Sequence, residues 1–222
     1  MEMKIELAVE NADLILGIVE ADGVVVGESA GEFRKEMEGL VAKRAGEDFP
    51  AEERRTAIRK LLRAGGFKAA GRNKPASEYL AGRAKAGEYP FHSNLVDICN
   101  HVSLTSGLPI SILDLDLALG DDAGLVIRLG GEKESYVFNP SGQEIDITGL
   151  VCVARAEGEA LGSPVKDSMR TKVHAGTRRV VAVIYGSKVT VGGEEMRGYV
   201  EAFGELLKKY AGAERVETRV ID

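Results

Sequence analysis

Tryptophan is absent, and the aromatic residues together make up only 5% of the 222-residue chain, so its core must be built from aliphatic side chains. Cysteine is almost as scarce: Cys99 and Cys152 are the only two, with no CxxC and no Cys/His ligand spacing. A disulfide framework and a structural zinc are therefore not expected, and both thiols read as small buried hydrophobes. The three histidines, His92, His101 and His174, are too scattered for a histidine-based metal site. Long apolar runs are missing too. Stretches such as VVAVIYG fall far short of the roughly 20 residues that span a bilayer. The N-terminus, MEMKIELAVENADL, is acidic where a secretory signal is basic and then apolar. A soluble, cytoplasmic protein with no membrane contact is expected. No P-loop, no GxGxxG after a strand and no GxSxG occurs, and no cofactor is expected.

What remains is 44% hydrophobic and 29% charged, enough to bury a sizeable core in one large domain or two small fused ones. The total charge of −6 argues against nucleic acid, but it is unevenly spread. Residues 54 to 85 hold ten Lys and Arg against Glu78 alone, a local +9 that leaves −15 for the rest. A basic segment on an acidic chain is a candidate phosphate-binding face. Within it Arg55, Arg59 and Arg63 recur every four residues and fall on one helical stripe. Lys68, Arg72 and Lys74 follow the Gly65-Gly66 stop.

Periodicity predicts an α+β chain. KIELAV and LILGIVEADGVVVG read as strands, with Asp22-Gly23 as a hairpin turn. Helices follow over residues 29 to 45, from Pro50 to Gly65, over 77 to 86 with Ser77 as cap, and over 93 to 106. From residue 108 the period becomes two, and ISILDLD, LVIRL, SYVFNP, EIDIT, LVCVAR and RRVVAVIYG read as mostly antiparallel strands. A helix over 196 to 211 and a last strand, ERVETRVID, complete the pattern. With no repeat or linker, residues 1–222 are expected to form a single domain. Its parts are 1–92, an N-terminal hairpin with basic helices; 93–190, a helix-turn-strand and sheet core; and 191–222, a closing helix and strand.

Two places concentrate polar chemistry. In NLVDICNHVSLTSGLPISILDLD, Leu95, Ile98, Cys99 and Val102 form an apolar helix face beside a side carrying Asp97, Asn100 and His101. Cys99 and His101, two apart, point away from each other and do not make a nucleophile pair. The DLD of 114–116, read as strand, puts both acids on one face, a weak metal signal. Lys166, Asp167, Ser168, Arg170, Thr171, His174 and Thr177 form the second cluster.

The order of these pieces carries the strongest signal. Val96 to Asp116 resembles the VDxxNxxxLxxGxPxxxxDxD pattern of the B3/B4 module in the phenylalanyl-tRNA synthetase beta subunit. The flanking RNKPASEYLAGRAKAGEYPFHSN and KDSMRTKVHAGTRRVVAVIYG are similar to free-standing relatives of that module. The likeness covers about residues 10 to 190. Nothing in the chain resembles a synthetase catalytic core, so the module alone is expected.

The resemblance implies a B3/B4-like mixed fold and, by analogy with the synthetase, a pocket that hydrolyses mischarged aminoacyl-tRNA, here in trans. It implies a tRNA acceptor end as partner and no obligate protein partner. Asn100 matches the pattern's asparagine and Asp97 its aspartate, which together with the DLD is expected to brace the helix-turn-strand. Where the synthetase's PMHAFD segment has its histidine, this chain has Ser111 in PISILD; its tyrosine-recognising glutamate falls at Val183. Such a pocket lacks the acceptor for a phenol hydroxyl and is not expected to edit tyrosine. The expected catalytic set is Asn100, Ser111, Asp167 and Thr177, with Asp167 meeting the substrate's α-ammonium. Lys166, Ser168, Thr171 and His174 are expected to bind substrate, and Arg55, Arg59, Arg63, Lys68, Arg72 and Lys74 to bind RNA. A non-catalytic RNA-binding module and an amino-acid sensor remain open as alternatives.

Overall fold

The strand RVVAVIYGS, nine residues with β-branched side chains and no polar alternation, has to be buried on both faces, and it forms the centre of the molecule. In a computed structural model that describes residues 3–120, 124–156 and 158–222, it is β9 (Arg179–Ser187) of an antiparallel sheet. The strand order is β10 (Arg215–Ile221), β2 (Leu14–Asp22), β9, β3 (Ile110–Asp114). A second sheet is ordered β1 (Lys4–Leu7), β4 (Gly124–Leu129), β7 (Val151–Arg155), β8 (Ala160–Gly162), in which only β1 runs parallel to its neighbour. The hairpin of β5 (Ser135–Val137) and β6 (Glu144–Asp146) stands apart.

The two faces of the first sheet have different neighbours. On one, α6 (Gly193–Ala211) lays Met196 and Val200 against Gly17, and α4 (Asn94–Ser106) packs beside α6 and on β3. On the other, Ser111 lies opposite Val183 in register, and Gly162 of β8 comes down onto Ser111 and Leu113. Helices α1 (Gly31–Ala45) and α3 (Ala76–Lys85) meet α4 over a small cluster of Met37, Leu80, Ala84 and Leu104. The basic helix α2 (Glu52–Arg63) buries Ile58 and Leu62 in the main core. Both cysteines are free and buried. Among the described residues no helix is long and apolar enough to cross a membrane.

The α+β expectation holds, with four local corrections. The Asp22-Gly23 hairpin is not formed. The backbone beyond Gly23 bonds elsewhere, Val24 N–H to Arg178 O (3.1 Å) and Val25 N–H to Ala211 O (2.8 Å). The third helix starts at Ala76 after Pro75, so Ser77 is a buried helical residue and no cap. The DLD does not continue its strand: Asp114 ends β3 and caps the short α5 (Leu115–Leu119), accepting from Leu117 N–H at 3.0 Å. Asp116 sits inside α5 and pairs with Arg179 at 2.9 Å.

The fourth correction concerns the helix-turn-strand. Gly107, left-handed at φ 75°, closes α4, and two serines tie the turn. Ser103 Oγ donates to Leu108 O (2.7 Å), while Ser106 Oγ donates to Val102 O (2.8 Å) and accepts from Leu108 N–H (3.1 Å). Asp97 has another task. Fully buried, it accepts from the hydroxyls of Ser29 (2.6 Å) and Tyr89 (3.2 Å) and from His92 N–H (3.1 Å). It fastens α4 to the segments before it.

Candidate functional site

An edge strand leaves a row of backbone donors without a partner. Strand β3 has β9 on one side only, and its open edge is met by the loop GSPVKDS that leaves β8. Asp167 takes the place of a neighbouring strand there, its Oδ2 accepting from Ile112 N–H at 3.2 Å. Its other oxygen, Oδ1, is buried with no hydrogen-bond partner. A side chain on Gly162 would place its Cβ 2.6 Å from that oxygen and 3.3 Å from Ser111 Oγ, so glycine is what allows the carboxylate and the hydroxyl to share this space. Burial pushes the Asp167 carboxyl up to about 6, while the Ser111 hydroxyl, the Ile112 amide, the Lys172 charge and the Ser163 amide pull it back.

Around this pair lies a network of neutral hydroxyls. Ser111 Oγ donates to Ser163 O (3.1 Å) and is 3.4 Å from the Tyr185 hydroxyl. The Tyr136 hydroxyl is 2.9 Å from Ser163 Oγ and 2.5 Å from Lys166 O. Burial raises both phenols, so Tyr136 and Tyr185 stay protonated and act as donors at physiological pH. Lys166 Nζ stands 3.8 Å over the Phe138 ring, and Lys172 Nζ donates to Phe138 O at 2.5 Å. Both ammonium groups are pushed down, chiefly by burial; Arg72 adds repulsion at Lys166, and Asp167 opposes the shift at Lys172.

Of the residues expected in one pocket, Ser111 and Asp167 are brought together, while the Lys166 side chain lies over Phe138. Others are engaged elsewhere. Thr177 Oγ1 donates to Asp114 Oδ2 (2.6 Å) and accepts from His174 N–H (2.9 Å), and His174 Nε2 is 3.4 Å from the same carboxylate. Asn100 faces the Tyr89 hydroxyl. Ser168 Oγ accepts from Arg170 N–H (3.3 Å), and Thr171 Oγ1 donates to Leu161 O (3.1 Å), so both shape the loop. Thr177→Val is therefore expected to lower unfolding stability by about 1–3 kcal/mol, because Asp114 loses a buried donor, and to leave any ester hydrolysis per folded molecule unchanged; chemical denaturation beside a rate assay checks both.

The basic stripe is also partly neutralised. Arg55 pairs with Asp48 (2.7 Å), Arg59 holds Glu78 with two nitrogens, and Arg63 reaches Ala69 O at 3.4 Å. Among the described residues, no carboxylate pairs with Lys68, Arg72 or Lys74. Sequence reasoning missed Gly162, Ser163, Tyr136, Tyr185 and Lys172. The one available signal was Tyr185, a hydroxyl that follows the apolar run VVAVI.

Two surface clefts form away from this cluster. The larger, of about 530 Å³, lies between Pro50, Arg54, Ser106 and Thr190, and the smaller is lined by Glu20, Asp22, Arg179, Arg215 and Glu217.

The fold and site define an α+β domain in which a loop carboxylate completes a sheet edge beside a serine. The B3/4 domain profile matches residues 64–196, more than half of the sequence, and the chain belongs to that family. No curated protein matches it. Among solved structures, it is similar to an N-terminal fragment of the phenylalanyl-tRNA synthetase beta-subunit from Pyrococcus horikoshii, at 11% identity and a TM-score of 0.49. The match covers 99% of this chain and 52% of that one, so the chain spans about half its length.

Proposed function

We propose that this B3/4 domain is a tRNA-associated protein that hydrolyses the ester of mischarged aminoacyl-tRNA in trans, with its chemistry at Asp167 and Ser111. One observation carries the reading: a buried carboxylate with an unengaged oxygen, Asp167 Oδ1, beside the Ser111 hydroxyl. An aminoacyl ester is already activated, so the protein needs chiefly to position a water and stabilise the developing oxyanion. A carboxyl raised to about 6 is well matched to proton transfer near neutrality. Water attacks the ester carbonyl and gives its proton to Asp167. The acyl C–O bond then breaks, and the ribose oxygen leaves with that proton. Ser111 orients the ester, Tyr185 holds the serine, and the vicinal ribose hydroxyl assists.

Val183, opposite Ser111 in register, offers no acceptor for a phenol hydroxyl. Tyrosyl and phenylalanyl esters are thus expected to react at similar rates, without the roughly 10⁴-fold preference such an acceptor confers. Deacylation across a panel of mischarged tRNAs tests the reading. The expected result is cleavage of at least one ester, reduced about 100-fold or more by Asp167→Asn. A second reading, an RNA-binding module without catalysis, is favoured by the close packing at Gly162, where a methyl group would lie 2.6 Å from Asp167 Oδ1. Binding of tRNA with no cleavage of any ester would establish that reading and sink the hydrolase.

A further inference from the structure

Three cations gather at the loop that carries Asp167: Lys166 and Lys172 belong to the loop itself, and Arg72 to a segment far from it in sequence. Lys166 and Lys172 flank Phe138 from opposite sides of Asp167 along the chain. Arg72 comes from the basic segment, which is fastened to the loop where Ala76 N–H donates to Pro164 O at 2.9 Å. Among the described residues, no carboxylate pairs with any of the three; the one acid that bears on them is Asp167, through Lys172. Crowded like charges repel, and the repulsion is relieved when an anion binds between them.

We propose that Arg72, Lys166 and Lys172 form a phosphate-binding site that grips a phosphodiester of a single-stranded RNA 3′ end and delivers its terminal ribose toward Asp167 and Ser111. The inference rests on the proposed reading for the identity of the RNA, but binding can be measured without ester cleavage. It also reassigns the electrostatics: these three cations contact the ligand, whereas Arg55 and Arg59 are held by Asp48 and Glu78. The planar Arg72 fork suits two phosphate oxygens, and the lysines act as point charges beside it.

The test is binding of a fluorescein-labelled single-stranded RNA tetranucleotide with a free 3′-hydroxyl, followed by anisotropy over a salt series. Arg72→Gln, Lys166→Gln and Lys172→Gln are each expected to weaken binding about ten-fold and to flatten the log–log salt slope by about 0.7 for each phosphate no longer neutralised. Arg55→Gln is expected to change neither. Because Lys172 also bonds a backbone carbonyl, Lys172→Arg serves as the charge-preserving rescue and is expected to restore most of the affinity. Equal losses from Arg55→Gln and Arg72→Gln would overturn the site as a diffuse basic face. Binding of adenosine monophosphate or inorganic phosphate at these residues, with none of the tetranucleotide, would overturn the RNA end as the ligand. Cation-dependent RNA binding without deacylation of any tRNA would support this site and sink only the hydrolase.

Discussion

Asp167→Asn is expected to stabilise the protein at neutral pH and, on the proposed reading, to remove ester hydrolysis. The folded protein holds the Asp167 proton more tightly than the unfolded chain does, because burial raises the carboxyl from an ordinary 3.8 to about 6. Its favourable contribution is therefore fully present below about pH 3.8 and is lost as pH rises through about 6. A shift of about two units corresponds to about 3 kcal/mol, a large share of the stability of a domain. Asparagine keeps an oxygen for the Ile112 amide, bears no charge and cannot accept water's proton. Urea unfolding at pH 4 and pH 7.5 is the measurement. The variant is expected to lead the wild type by about 3 kcal/mol at the higher pH, with the gap closing at the lower. A gap that does not change with pH would show that Asp167 is not held protonated by burial. On the proposed reading the same carboxyl is the base, and kcat is then expected to fall about ten-fold per pH unit below about 6, as that base becomes protonated.

A charged state that weakens the fold marks Asp167 as a candidate functional residue, and the fold around it is only partly legible in sequence. Elements set by local periodicity read well. The double-buried run of β9 follows from an apolar stretch rich in β-branched residues, and α4 ends at Gly107 as its glycine signals. Features set by distant partners do not. Glu78 lies 19 positions from Arg59, and no helical spacing discloses that the stripe meets a carboxylate there. The Asp22-Gly23 turn has hairpin chemistry, yet the backbone after it bonds to Arg178 and Ala211, residues far along the chain. Asp114 and Asp116 alternate as a strand would, but the capping bond from Leu117 N–H to Asp114 starts a helix between them.

The site divides in the same way. Ser111 and Asp167 both stand out in the sequence, the first by resemblance and the second by its polar neighbourhood. Nothing in sequence sets them against one another, because their meeting depends on Gly162 leaving room and on β3 having an open edge. Thr177 and His174 belong to the same polar run as Asp167, yet they turn to Asp114. Proximity along the chain groups them with Asp167; the fold gives them a different carboxylate.

Asp97→Ala is the second large effect, and it has the opposite signature. The Asp97 carboxylate is fully buried and accepts from three donors in two segments, Ser29 Oγ, Tyr89 Oη and His92 N–H. Alanine strands the buried Ser29 hydroxyl, at about 1–3 kcal/mol, and takes the acceptor from half-buried Tyr89 and from the exposed His92 backbone, for an expected loss of about 2–4 kcal/mol after partial relaxation. Ser29→Ala removes one donor and keeps the acceptor, so its loss is expected to be about 1 kcal/mol. Asparagine at 97 falls between, because its amide turns a donor toward donors. Thermal and urea unfolding at a single pH measure the series. None of these residues touches Ser111 or Asp167, so hydrolysis by Asp97→Ala is expected to scale with the folded fraction and to recover on cooling. The proposed reading thus predicts that two aspartates separate structure from chemistry: Asp97→Ala weak but active where folded, Asp167→Asn stable and inert. If Asp97→Ala kept its stability, the anchoring of α4 would have to lie in its apolar face, Leu95, Ile98 and Val102, and in Asn94, which bonds Gly27 N–H, Val25 O and Tyr210 O.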